Sequence, residues 1–332
     1  MTTTNHHVTF DRYGDADVLH FRESAIPECG PGQVLLRVGA IGVNYSDILR
    51  RRDRYFMPTP LPYVPGTEVV GEIVASGEGV AAPLTEGARV LAILPSGGGY
   101  AEYVTAAAPY CVPLPPEIDD RTATAIFVQG STAQLMIAQL AGELEGKTVL
   151  INAAAGGVGS LLVQLAKLGG ARVIGAAGGA EKGKIVRELG ADAAVDYRAA
   201  GWSERVREAN GGRGVDVVFE MVGGEVYNES LRALAPGGHL IVYGCASGVQ
   251  GTVDPEYFVD HNLRQSGFNL AHYLQHHNPV WQRALGDVMG VLASGRLRVR
   301  AAQTYPLERA AEAHRQLEAR ETTGKVVLLT RV

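Results

Sequence analysis

Cysteine is scarce in this sequence of 332 residues: Cys29, Cys111 and Cys245 are the only three, and none is spaced as a C-x-x-C pair. Thiols this few and scattered read as reduced, structural cysteines of an intracellular chain. Cationic excess is also missing. The formal net charge is -5, which leaves no electrostatic footprint for DNA or RNA. No apolar run approaches the roughly 18 residues that a bilayer span requires. The opening stretch Met1-Thr2-Thr3-Thr4-Asn5-His6-His7 lacks the regions of a secretion signal, and His6-His7 reads as a disordered start. These absences predict a cytoplasmic protein with no nucleic-acid or membrane partner.

What is abundant is glycine, with 42 residues in a composition that is 46% hydrophobic and 20% charged. Glycine marks tight turns and close backbone approaches, which suits an α/β nucleotide binder better than a helical bundle. The length allows two domains. Val34–Val38 and Glu68–Val74 are β-branched strand candidates in a β-rich, turn-rich first part. An apolar, helix-like stretch follows from Thr122 to Leu140. The basic run Arg50-Arg51-Arg52 with Arg54 surrounds Asp53 and reads as a solvated face.

From Thr148 strands and helices alternate. Strands are expected at Thr148–Ala154, Arg172–Ala177, Ala193–Tyr197, Val215–Val222, Leu240–Gly244 and Ser266–Leu270. Helices are expected at Gly157–Leu168 and Lys182–Leu189. This alternation implies βαβ crossovers and a doubly wound parallel sheet. Two further helical stretches and a last strand, Lys325–Thr330, follow. That tail is too short to fold alone and is expected to pack onto the N-terminal part. The expected domains are 1–124, completed by 266–332, and 125–265.

Ala153-Ala154-Ala155-Gly156-Gly157-Val158-Gly159 follows a strand and opens a helix, the context of a dinucleotide-binding loop, with alanine replacing the first glycine of G-x-G-x-x-G. Gly156 and Gly157 let backbone approach a pyrophosphate at the helix N-terminus, and Gly159 lets helix and strand pack closely. NAD sites end the second strand with an acid on the ribose 2′-OH. Ala176-Ala177-Gly178-Gly179 stands there instead, and Lys182 can meet a 2′-phosphate, although Glu181 is close. The cofactor predicted is NADPH.

The chain resembles the medium-chain dehydrogenase/reductase superfamily, in its zinc-independent NADPH:quinone oxidoreductase branch. Carrying the resemblance are Gly42-Val43-Asn44-Tyr45-Ser46-Asp47, Pro65-Gly66-Thr67-Glu68, Gly99-Tyr100-Ala101-Glu102-Tyr103-Val104, the Ala153–Gly159 loop, Glu188-Leu189-Gly190-Ala191-Asp192, Pro236-Gly237-Gly238 and Thr323-Gly324-Lys325. It implies a Rossmann NADPH-binding domain, a β-rich GroES-like catalytic domain, cofactor in the cleft between them, and a homodimer paired near Gly267–Leu270. Zinc alcohol dehydrogenases of the superfamily have a Cys where this chain has Val43 or Asn44, and Gly-His-Glu where it has Gly66-Thr67-Glu68. The four-cysteine structural lobe is missing, so neither zinc set is complete.

By family position the resemblance implies cofactor contacts at Asn44, Thr132, Ala155, Gly156, Gly157, Val158, Gly178, Lys182 and Tyr197. It adds Tyr243-Gly244-Cys245-Ala246 beneath the cofactor, Phe268, Asn269 and Leu270 at the nicotinamide amide, and Lys325. Asn44, Asp47 and Tyr55 match the polar side of the substrate pocket, with Leu49 where several members carry tyrosine. Asn44 and Asp47 could instead hold their loop through backbone hydrogen bonds. Tyr55 is a candidate proton donor or hydrogen-bond partner, with solvent the alternative. His272, His276 and His277 lack a nearby acid or cysteine and read as an exposed or cleft-lining cluster.

The activity implied is NADPH-dependent reduction of a quinone or an α,β-unsaturated carbonyl compound. The alternatives are an enoyl-thioester reductase, for which Arg50–Arg54 is the one suggestion of a basic channel mouth, and a non-catalytic NADPH-binding protein.

Overall fold

The computed structural model describes residues 4–300 and 303–330, so Met1, Thr2 and Thr3 of the opening stretch lie outside it. Contacts divide the chain into two compact units, Met1–Phe127 with Arg300–Val332, and Val128–Val299.

The second unit is built on six parallel strands. Their order is Ala193–Asp196, Arg172–Ala177, Thr148–Asn152, Val215–Glu220, Leu234–Val242, Arg264–Gly267. Counted along the chain this is 3-2-1-4-5-6, the doubly wound order whose ligands collect at the carboxyl ends of the strands. Every residue of Thr148–Asn152 is buried, as a central strand covered on both faces requires. Leu150, Ile174, Val218 and Leu240 meet Trp202 and Tyr227 in one core.

The helix Gly157–Leu168 runs as its apolar periodicity predicts, burying Leu161, Leu162, Leu165 and Ala166. Gly159 is required at its start. A Cβ there would sit 2.3 Å from the Ala153 carbonyl oxygen, so any side chain would push the helix off the strand.

Several expectations are corrected in this unit and at its border with the first. The strand expected at Ser266–Leu270 stops at Gly267. Asn269 then accepts the Ala271 N–H at 2.9 Å, and Leu270 opens the helix Leu270–His276, because an asparagine N-cap outweighs a short apolar pattern. The helix-like stretch 122–140 is broken into Asp120–Ile126, Val128–Leu135 and a π turn, Met136–Ala141. The chain after 266 does not all join the N-terminal part. Helix Asn278–Ala293 buries Trp281, Ala284, Leu285 and Val288 along one stripe and packs on Val128–Leu135. Only from Arg300 does the chain belong to the first unit.

In the first unit the long strand Gln33–Val43 is central. Its burial alternates from Gln33 to Ala40 and is then continuous to Val43. It pairs with Glu68–Ser76 on one side, and with Tyr103–Ala107 and Val326–Leu329 along the other. The C-terminal strand thus lies antiparallel to residues 40–43, which brings Lys325 beside Asn44. His6-His7 is not a disordered start. Both residues lie in the strand Thr4–Thr9, which pairs with His20–Ala25, and His6 Nδ1 is 2.8 Å from the Glu102 carboxylate.

Candidate active site

At the glycine loop, Ala153 adopts a φ of 50° and its carbonyl accepts the Gly156 N–H at 2.8 Å. This turn leaves Gly156 as N-cap of the helix beginning at Gly157. The free N–H groups of that first turn are the donors an anion needs. Gln129, from helix Val128–Leu135, packs on the loop, since a Cβ on Gly157 would sit 3.0 Å from its Cγ. The same helix carries Thr132, which is buried.

The end of the second strand holds a cation that sequence reasoning missed. Arg198 lies over the bare Gly178-Gly179 turn: a Cβ on Gly178 would meet its Cδ at 3.2 Å, and one on Gly179 its Nη2 at 2.4 Å. Asp196, paired in register with Ala177, brings an acid to the same turn. Its carboxylate is already held, accepting from Arg198 N at 3.0 Å and Nε at 3.3 Å, and these bonds draw its pKa down. Lys182 sits in the first turn of helix Ala180–Glu188, and Tyr197 is half-buried against the core. The sequence signal was available in Tyr197-Arg198 itself. Only the parallel pairing of the two strands shows that it faces Gly178.

The expected cofactor residues 243–246 and 268–270 lie at the carboxyl ends of the last strands. The loop Tyr243–Ala246 leaves strand Leu234–Val242 and is tied to its neighbour by Tyr243 N to Glu220 O, 2.9 Å, and Ala246 N to Met221 O, 2.8 Å. Phe268 N donates to Val242 O at 2.8 Å, and the Phe268 ring stacks on Tyr273. His272 lies 5.0 Å from His276 and 5.2 Å from His277, ring centre to ring centre.

In the first unit, Asn44, Asp47, Glu68 and Lys325 form one buried polar cluster. Asn44 precedes the helix Tyr45–Arg51, and its backbone N–H donates to Asp47 Oδ2 at 2.8 Å. Asp47 Oδ1 accepts the Gly66 N–H at 3.2 Å. The Asp47 carboxyl is fully buried, and desolvation raises its pKa to about 6 despite those two donors. Asn44 Nδ2 donates to Glu68 Oε1 at 2.9 Å, while Lys325 Nζ donates to Asn44 Oδ1 at 3.0 Å and also to Glu68. Lys325 is 3% exposed and burial lowers its pKa. Lys325 and Asp47 thus brace Asn44 and Gly66 from within the cluster.

The donor set does not fit a zinc ion. A catalytic zinc takes three ligands from thiolate, imidazole and carboxylate. Val43 and Thr67 supply none of these, and Glu68 is engaged by Lys325 and Asn44. Among the described residues no group of three His, Cys, Asp or Glu side chains is placed to hold a metal ion.

The basic run is a solvated face only in part: Asp53 and Arg54 are exposed and Arg52 is half-buried, but Arg50 and Arg51 are not. Arg51 is fully buried, donating to the Gly14 carbonyl, to Glu318 at 2.7 Å and to His314 Nδ1 at 3.2 Å. His314 Nε2 in turn lies 2.9 Å from the Tyr100 hydroxyl. Arg50 is buried as well, its guanidinium 4.3 Å from the centre of the Tyr55 ring. Tyr55 is half-buried against Phe56, and desolvation raises its pKa. Leu49 is half-buried on the same helix. Helical spacing turns Arg50 and Arg51 inward, where Tyr55, His314 and Glu318 receive them; charge density alone did not reveal this.

A doubly wound sheet with a glycine loop at its first helix, and an antiparallel unit with the Asn44 cluster, define a two-domain dehydrogenase/reductase. The family described as Alcohol dehydrogenase GroES-like domain matches residues 30–116. The family described as Zinc-binding dehydrogenase matches residues 157–285. A quinone oxidoreductase of Pseudomonas aeruginosa is 35% identical, covering 97% of this chain and 98% of that one. A 2-haloacrylate reductase of Burkholderia sp is also 35% identical, over 95% and 96% of the two chains. The crystal structure of Escherichia coli quinone oxidoreductase complexed with NADPH superposes with a TM-score of 0.92, at 30% identity over 98% of this chain and 99% of that one. The chain belongs to the quinone oxidoreductase branch of the medium-chain dehydrogenase/reductase superfamily, and is an oxidoreductase.

Proposed function

We propose that the protein reduces a quinone or an α,β-unsaturated carbonyl compound with NADPH, without zinc, acting in the cytoplasm as a homodimer. One observation carries the zinc-free reading: Glu68, in the motif where zinc enzymes of the superfamily hold a ligand, is bound by Lys325 and Asn44. With no Lewis acid to polarise an alcohol, the acceptor must already be electrophilic. The names of the two relatives, a quinone oxidoreductase and a 2-haloacrylate reductase, include acceptors of that kind.

NADPH, when bound, supplies a hydride. Ala155, Gly156, Gly157 and Val158 offer backbone to the pyrophosphate, while Gly178, Lys182 and Arg198 receive the 2′-phosphate beside Tyr197. Arg198 supports NADPH over NADH because it brings positive charge to a turn with no side chain in the way and occupies Asp196, the acid paired beside that turn. Thr132, Tyr243–Ala246 and Phe268–Leu270 line the nicotinamide side. Asn44, fixed by Lys325 and Glu68, meets cofactor and acceptor. Holding the reactants aligned can be worth about 7–11 kcal/mol. The proton comes from solvent or from Tyr55, whose burial raises its pKa and favours the protonated form that hydrogen-bonds the acceptor oxygen.

The test is NADPH oxidation, followed by absorbance, against benzoquinones, naphthoquinones, enals, enones and enoyl thioesters. Turnover of quinones or enones is expected. Turnover of thioesters alone would move the activity to an enoyl-thioester reductase, and NADPH binding with no turnover would make the protein a non-catalytic binder. Bound zinc at one equivalent would overturn the zinc-free reading. A monomer in light scattering would remove the dimer.

A further inference from the structure

Arg50 is a buried cation without a counter-ion. It is 4% exposed, and among the described residues no carboxylate pairs with it. Its neighbours in sequence differ sharply: Arg51 pairs with Glu318 at 2.7 Å and Arg52 with Asp15 at 2.8 Å. The Arg50 side chain makes a long hydrogen bond, Nη1 to Thr59 Oγ1 at 3.5 Å, and a second contact to the Tyr55 hydroxyl. Its Nε is buried with no partner.

The surroundings are aromatic. The guanidinium carbon lies 4.3 Å from the centre of the Tyr55 ring and 5.6 Å from that of Tyr63. The Tyr63 hydroxyl is likewise buried with no hydrogen-bond partner. Asp47 is the nearest acid along the helix, but both of its oxygens are taken by backbone N–H groups of Asn44 and Gly66. Cation–π contacts offset part of the cost of desolvating a guanidinium, yet they leave the Nε donor unspent. An unspent donor on a buried cation that no carboxylate neutralises is a receptor for an anion with oxygen acceptors. A guanidinium fork matches a carboxylate in both charge and geometry. Phe56, 64% exposed, packs on Tyr55, the ring that the guanidinium faces.

We propose that Arg50 is the carboxylate subsite of the acceptor pocket, and that the preferred acceptor is an α,β-unsaturated acid rather than a neutral quinone. This rests on the NADPH-reductase reading above. In the reaction, hydride forms a C–H bond at the β carbon and the C=C π pair takes a proton from solvent at the α carbon, while NADPH becomes NADP+. The guanidinium neutralises the carboxylate, which would otherwise repel hydride, and fixes which end of the alkene faces the cofactor.

The test compares crotonate with its methyl ester as acceptors for the wild type, Arg50→Met and Arg50→Lys. The ratio of kcat/KM for acid over ester is expected to fall roughly tenfold or more in Arg50→Met, as loss of a charge-assisted pair implies. Arg50→Lys should lie between the two. An unchanged ratio in both variants overturns the subsite. Calorimetric titration of propionate is the second measurement, because it needs no turnover. If the wild type reduces neither acceptor nor any quinone, the reductase reading fails; propionate binding lost in Arg50→Met would still uphold the subsite, and equal binding would end it.

Discussion

Lys325 Nζ donates to Asn44 Oδ1 at 3.0 Å across 281 positions of sequence. The contact exists because Val326–Leu329 pairs antiparallel with residues 40–43, and it makes the C-terminal strand part of the site. Removing the lysine takes the cation away from the buried Glu68 carboxylate. Lys325→Met is expected to cost about 3–5 kcal/mol in urea unfolding, the usual penalty for breaking a buried pair from one side. Lys325→Met with Glu68→Gln should recover part of that. A direct cofactor contact would instead show as weaker NADPH binding with stability intact.

Arg198→Ala should weaken NADPH roughly tenfold while leaving NADH unchanged or tighter, since it removes the cation and releases Asp196 toward a ribose hydroxyl. Lys182→Ala should shift the preference in the same direction. Fluorescence titration of both cofactors measures it. Equal NADPH affinity in wild type and both variants would remove the 2′-phosphate assignment.

His314 gives the protein an acid-labile point. Burial and the adjacent Arg51 push its pKa from an ordinary 6.5 to about 3. Arg51 donates to Nδ1, so the neutral ring carries its proton on Nε2, facing the Tyr100 hydroxyl. Between pH 6.5 and 3 the unfolded chain binds this proton and the folded one does not. Stability from this group is therefore complete above pH 6.5 and declines as pH falls, by up to about 1.4 kcal/mol per pH unit. His314→Gln should flatten the pH dependence of the urea midpoint in that window; an unaltered slope would show that the ring titrates freely.

Tyr55→Phe separates two roles. As a hydrogen-bond partner, Tyr55 should leave kcat within about threefold and raise the acceptor KM. Loss of a proton donor would lower kcat by roughly 100-fold or more. Steady-state kinetics with a single quinone decides between them.

The sequence by itself determined the parallel sheet, because buried strands alternating with amphipathic helices admit few other architectures. It also determined the glycine loop, whose spacing meets a local backbone demand: Gly159 has no room for a Cβ against the Ala153 carbonyl. It located Asn44 and Asp47, which are close enough in sequence to bond each other, and it showed that thiolate and imidazole are absent at the zinc positions. Only the tertiary structure decided what those residues do. Strand pairing carried Arg198 to Gly178, the last strand brought Lys325 to Asn44 and Glu68, and helical phase turned Arg50 and Arg51 inward where a charge count had left them in water. Local pattern encodes backbone conformation; whether a charge is buried, paired or left unspent depends on partners that arrive from elsewhere in the chain.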